Sequence, residues 1–144
     1  MLLQVVRQHS GSVVKTMGDA IMATFSSPQD GVRAALEMTA RMKELGERFR
    51  QKGYDTGLKV GLNEGAALAV NADARLDYFG QSVNVAARVQ GLAQAGEIWM
   101  TDAIFEAPAV SDLLRAHACQ TVKQSALLKG VSQPTVVYRC LPPA

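Results

Sequence analysis

At 144 residues the chain has the length of one domain and can bury a core. A hydrophobic fraction of 48% and a charged fraction of 19% fit a globular chain, and a net charge of +2 is too small to point to nucleic acid. No run reaches the five or six or so like charges of a basic arm. No window approaches the roughly 18 apolar residues of a membrane span. Met1–Val6 lacks the basic leader and small-residue cleavage site of a secretory signal. Cys119 and Cys140 fit no metal-ligand spacing and read as free thiols of a cytoplasmic domain.

Leu2, Leu3, Val5, Val6 and His9 read as the closing turns of a helix, broken at Ser10-Gly11. Val13 and Val14 open a strand that runs to Lys15, Gly18-Asp19 is a turn, and Ala20–Phe25 returns. Residues 12–25 are therefore expected to form a β-hairpin with Asp19 at its tip. Ser26-Ser27-Pro28-Gln29-Asp30 starts a helix with a serine cap and an early Pro. Val32, Ala35, Leu36, Met38, Met42, Leu45 and Phe49 then recur at helical spacing, to about Gln51, with Gly53 as the stop.

Leu58–Leu62 alternates as a strand, Gly65–Val70 as a second, and Asn71–Ala74 is a turn. Ser82–Leu92 predicts a helix with Val83, Ala86, Ala87 and Val89 inward. Gly96–Met100 is a short strand, and Thr101-Asp102 is expected to cap a brief helix. Two more strands fall near 118–124 and 134–140, with Leu128-Lys129-Gly130 as a turn. There is no internal repeat or linker. The mixture predicts an α+β domain, a sheet with helices on one face, across residues 1–144.

Two segments concentrate chemistry. Lys15-Thr16-Met17-Gly18-Asp19 places a cation four residues before a hairpin-tip carboxylate. Leu76–Arg88 holds Asp77, Asn84 and Arg88 at a spacing of seven and then four. Asn84 and Arg88 share one face of the predicted helix. Taken singly, each has an ordinary alternative. Asp19 is a turn residue, Lys15 a solvated strand lysine, Asp77 an edge or turn residue, and Asn84 with Arg88 an exposed pair. Together a cation, two carboxylates, an amide and a guanidinium near element ends suit a nucleoside triphosphate and a divalent metal.

These segments resemble the catalytic domain of class III adenylate and guanylate cyclases, most closely the bacterial adenylate cyclases, and the likeness runs from about Val5 to Tyr138. The resemblance implies a ferredoxin-like sheet of βαββαβ units and a head-to-tail homodimer with its sites at the interface. It implies conversion of ATP to 3′,5′-cyclic AMP and pyrophosphate, with two Mg²⁺ or Mn²⁺ ions in the full site. Asp19 matches a metal ligand, since hard divalent ions take carboxylate and phosphate oxygen. Lys15 and Asp77 match the purine readers: a lysine donates to adenine N1 and a carboxylate accepts from the exocyclic amine. Guanine presents the opposite polarity at both atoms, so the pair selects adenine. Asn84 matches the residue that orients the ribose, and Arg88 the one that meets charge on the α-phosphate. Lys59 stands where many members carry an arginine for the β- and γ-phosphates, keeping the charge but not the bidentate fork. Lys129 matches a late phosphate-binding lysine, and is otherwise a turn residue. In such a dimer Lys15 and Asp19 serve different sites.

The family's sequence opens with a strand carrying the first metal aspartate, and Met1 aligns within the helix that follows it. A truncated domain of weak or no turnover, prone to association, is the expectation for this chain alone. A non-catalytic nucleotide-binding or dimerisation module of the same fold is the alternative. Cyclase domains are commonly joined to sensor modules, and an upstream regulatory partner is compatible with this reading.

Overall fold

A computed structural model describes residues 1–17, 20–51, 57–65, 68–72 and 75–143; at 49, 50, 68–72 and 75–79 it describes the backbone alone. Helix α1 (Leu2–Gln8) buries Val5 and Val6. Strands β1 (Gly11–Met17) and β2 (Ala20–Phe25) pair antiparallel from Gly11↔Phe25 to Met17↔Ala20, with a register shift between Val13 and Lys15. The expected hairpin is present in both strands, and its tip, Gly18-Asp19, lies outside the described residues. Helix α2 (Pro28–Arg50) starts as its sequence dictates: Ser27 Oγ accepts from the Asp30 amide at 3.2 Å, with Pro28 at the first helical position. Gly53, the expected stop, lies outside the described residues.

Strand β3 (Val60–Leu62) precedes a hairpin of β4 (Leu68–Ala72) and β5 (Arg75–Phe79), in which Val70 faces Asp77. Two corrections belong here. Asn71 and Ala72, expected in a turn, extend β4; Asp73 and Ala74 lie outside the described residues. Arg75–Phe79 is a strand, a five-residue alternation too short to stand out from sequence beside its charged Arg75 and Asp77.

Helix α3 (Gln81–Leu92), strand β6 (Ile98–Thr101), helices α4 (Asp102–Phe105) and α5 (Val110–Ala116), and strands β7 (Gln120–Ala126) and β8 (Thr135–Leu141) complete the chain. Helix α5 was not expected; it follows Ala109, whose φ is +68°. Thr101 precedes α4 but makes no side-chain capping bond; its hydroxyl is used elsewhere.

The domain is α+β. Its largest sheet runs β3-β6-β8-β7, with β3 and β6 parallel and the other pairs antiparallel. Among the described residues β1-β2 and β4-β5 are separate two-stranded sheets. Helices expected on one face divide between two. Ile98 and Met100 of β6 with Cys140 of β8 pack against Val32, Ala35 and Leu36 of α2, Ile104 of α4 and Leu114 of α5. Trp99 and Val137, one residue out of phase, pack against Val89 of α3, Ala93 and Leu128. All four residues of β6 are buried, and a strand covered on both faces is a continuous rather than an alternating apolar run.

One buried carboxylate braces this sheet. Glu97, 5% exposed, accepts from Trp99 Nε1 at 3.0 Å, the Gln94 amide at 2.8 Å and Arg139 Nε at 2.7 Å, and its second guanidinium contact is Arg139 Nη2. Burial pushes its pKa up, but the Gln94, Trp99 and Arg139 donors outweigh it and hold the carboxyl below its ordinary value.

Candidate active site

The two hairpins carry Lys15 and Asp77, the pair expected to read the base. Lys15 lies half-buried on β1, opposite Met22 and just past the register shift, where a bulge re-aims side chains. Strand β5, with Asp77 at its centre, lies against β1. The backbone therefore brings the strands of Lys15 and Asp77 together; the Asp77 side chain is outside the described part.

Helix α3 carries the proposed clamp. Its first helical bond runs from the Asn84 amide to the Gly80 carbonyl at 3.2 Å. Val85 and Val89 point into the second core cluster, which leaves Asn84 and Arg88 exposed. The Lys129 turn docks on the same helix. Leu128 and Val131 join the cluster of Val85 and Val89, Gln81 Nε2 donates to the Gly130 carbonyl at 3.3 Å, and the Val131 amide closes the turn on Leu128 at 3.0 Å. Gly130 holds φ +85°, a value that favours glycine. Lys129 itself is exposed.

Lys59 is placed apart. It is exposed just before β3, between the Gly96 amide on Leu58 O at 2.8 Å and the Val60 amide on Glu97 O at 3.2 Å. That end of β3 faces the last turns of α3. Gly61 lies under Gln90, whereas Asn63 and Gly65 lie under Ser82 at the start of the helix. Within one chain, Lys59 and Lys129 are thus at opposite ends of α3.

The seat beneath α3 is what residue-by-residue reading missed. A Cβ at position 61 would stand 2.7 Å from the Ala86 carbonyl oxygen, so glycine there lets helix and strand backbones touch. Asn63 Nδ2 donates to the Ser82 carbonyl at 3.0 Å, and Asn63 Oδ1 accepts from the Thr101 hydroxyl at 2.8 Å. At Gly65 a Cβ would stand 2.9 Å from Ser82 Cβ. The sequence signal was the stripe Gly61, Asn63, Gly65 at a period of two, the face of an extended strand.

Among the described residues no group of three His, Cys, Asp or Glu could hold a metal ion. Asp19 lies outside them. The described side chains expected in the site are Lys15, Lys59, Asn84, Arg88 and Lys129: four cations that donate to anionic oxygen and one neutral amide, with no carboxylate among them. They fit phosphate; they do not themselves fit a divalent ion.

Residues 2–137 match the profile described as the adenylate and guanylate cyclase catalytic domain. The chain belongs to that family. An uncharacterized protein of Mycobacterium tuberculosis is 34% identical over 142 residues, covering 93% of this chain and 31% of its own length. An adenylate cyclase of the same organism is 26% identical over 133 residues, covering 88% of this chain and 30% of its own. The crystal structure of an adenylate/guanylate cyclase/hydrolase from Silicibacter pomeroyi superposes at a TM-score of 0.81 with 26% identity, covering 99% of this chain and 78% of that one. The chain thus spans about a third of the length of the curated relatives it matches. The Silicibacter pomeroyi structure shares the fold over 99% of this chain. No helix among the described residues is long and apolar enough to cross a membrane.

Proposed function

We propose that this cyclase domain is an adenylate cyclase, forming 3′,5′-cyclic AMP and pyrophosphate from ATP at the interface of a head-to-tail homodimer. The observation that carries the reading is the exposed Asn84/Arg88 pair on α3, with the Lys129 turn docked on the same helix. Donors held on a packed helix keep their geometry as charge develops, and little reorganisation is needed at the transition state.

In the reaction the 3′-oxygen bonds to the α-phosphorus and the bond from that phosphorus to the pyrophosphate oxygen breaks. The 3′-hydroxyl proton passes to substrate phosphate. Asn84 orients the ribose, and Arg88 meets negative charge on the α-phosphate oxygens. Lys129 and Lys59 hold the β- and γ-phosphates. Their places at opposite ends of α3 suit a triphosphate laid between two copies, with Lys59 and Lys129 drawn from different protomers. Lys15 and Asp77 read the adenine edge, which the adjacency of β1 and β5 supports. Asp19 of the second copy would lend carboxylate oxygen to Mg²⁺ or Mn²⁺, and a bound ion would polarise the phosphate and the 3′-hydroxyl.

The test is product formation by the purified chain from Mn²⁺-ATP and, separately, Mn²⁺-GTP, with cyclic nucleotide and pyrophosphate quantified together. Cyclic AMP well in excess of cyclic GMP supports the reading. Preference for GTP overturns the base assignment. Nucleotide binding without either product, by this chain and by one extended upstream alike, points to the non-catalytic module.

A further inference from the structure

Asn63 has no place among the base, ribose and phosphate contacts, yet it makes two hydrogen bonds that join three elements at the start of α3. Its Nδ2 donates to the Ser82 carbonyl at 3.0 Å and its Oδ1 accepts from the Thr101 hydroxyl at 2.8 Å. Thr101 is 3% exposed and ends β6, so the hydroxyl is anchored in the buried centre of the main sheet. The amide has one orientation here. A carbonyl oxygen only accepts, so the nitrogen must face Ser82, and the oxygen is left for Thr101. Ser82 lies two residues before Asn84 and six before Arg88 in the same helix.

The flanking glycines make the contact close. Gly61 puts the β3 backbone against Ala86 and Gln90, and Gly65 puts the chain beneath Ser82. Glycine contact alone restrains distance but leaves a helix free to slide along or roll on the strand. A directional bond from a fixed amide to one carbonyl of the first turn removes that freedom. An apolar residue at position 63 would offer no such register.

We propose that Asn63 is a positioning residue. By tying the first turn of α3 to the ends of β3 and β6, it sets the height and roll of the helix and so where Asn84 and Arg88 meet substrate. The catalytic part of this inference rests on the cyclase reading; the seat itself does not. Because the clamp acts on charge that develops late, loss of Asn63 falls on kcat and not on KM.

The experiment uses the full chain as wild type, Asn63→Asp, Asn63→Ala, Thr101→Val and Thr101→Ser, with Asn63→Ala repeated in an Arg88→Ala background. Asn63→Asp keeps size and an acceptor for Thr101 but turns a carboxylate oxygen on the Ser82 carbonyl. Asn63→Asp and Asn63→Ala are expected to lower kcat with Mn²⁺-ATP about tenfold to a hundredfold, the range for residues that orient catalytic groups, with KM within about twofold. Thr101→Val should give a smaller loss that Thr101→Ser largely restores. In the Arg88→Ala background the Asn63→Ala loss should be clearly smaller, since one of the two groups it positions is gone. Hydrogen exchange of the first α3 turn should quicken in Asn63→Asp while exchange in β6 and β8 stays slow.

An equal loss with and without Arg88, or a loss carried by KM, overturns the positioning role. Unchanged exchange in α3 overturns the seat. If the wild type makes no cyclic nucleotide, the cyclase reading fails separately, and exchange alone decides: faster exchange confined to α3 upholds the seat, and wild-type exchange removes it.

Discussion

The centre of the four-stranded sheet and the β1–β2 hairpin are built to different standards. In β6 all four residues are buried between α3 on one face and α2, α4 and α5 on the other. In β1 none of the described residues is fully buried, and Met17 is 49% exposed. A two-stranded hairpin is marginal by itself in water, and α1, α2 and β5 lie against β1–β2. The better-packed region holds Asn84, Arg88 and Lys129. The hairpins hold Lys15 and Asp77. The groups assigned to the chemical step thus sit beside the more deeply packed part of the molecule, and Lys15, assigned to base choice, on the less buried first hairpin.

Substitutions can break or sharpen that contrast. The largest expected effect is on turnover: Arg88→Ala should lower kcat with Mn²⁺-ATP by roughly 10²–10³, about 3–4 kcal/mol at the transition state. Its urea midpoint should barely move, because Arg88 is exposed. Ile98→Ala should destabilise by about 3 kcal/mol in urea unfolding, through lost burial and a cavity between two packed faces. The matching change in the hairpin, Ile21→Ala at a half-buried site, should cost about 1 kcal/mol. Equal losses at the two sites would make hairpin and sheet one core and end the contrast.

Arg139→Ala removes the charged partner of buried Glu97 and should cost roughly 2 kcal/mol, below the usual figure for a broken buried pair because Arg139 is itself partly exposed. The pH dependence follows the sign of the shift. Glu97 has a folded pKa below its ordinary 4.5, so its contribution is complete above that pH and is lost as pH falls through the folded value. Glu37 behaves alike. The hydrogen bond from His9 leads in holding it low, burial opposes, and Arg41 adds to the lowering. Acid unfolding of Glu97→Gln should accordingly show a shallower loss of stability below pH 4.5 than the wild type. Lys15→Glu tests base choice. Turnover of Mn²⁺-ATP should fall about tenfold, near 1.4 kcal/mol, and the ATP-to-GTP preference should narrow.

Much of this was legible in the residues. The Ser27-Pro28 start and the heptad-like stripe of α2, the strands of the first hairpin, the α3 helix and the turn at Gly130 all follow from local rules that need no partner. The Asp77, Asn84, Arg88 spacing was readable for the same reason, since residues on one short segment keep their order however the rest folds. Strand β5 and helix α5 were not readable. Five and seven residues give too little periodicity, and α5 is held by α2, distant in sequence.

The sequence by itself determined the α+β class and the family, because periodicity and motif spacing are properties of the chain alone. Only the tertiary structure decided which faces are covered. The Ile98-Trp99-Met100 run fits one buried face or two, and it took α3 packing opposite α2 to choose. The same holds for Thr101. Locally it is a helix cap, but folding brings Asn63 within 2.8 Å, and a buried hydroxyl takes the partner that also seats a helix.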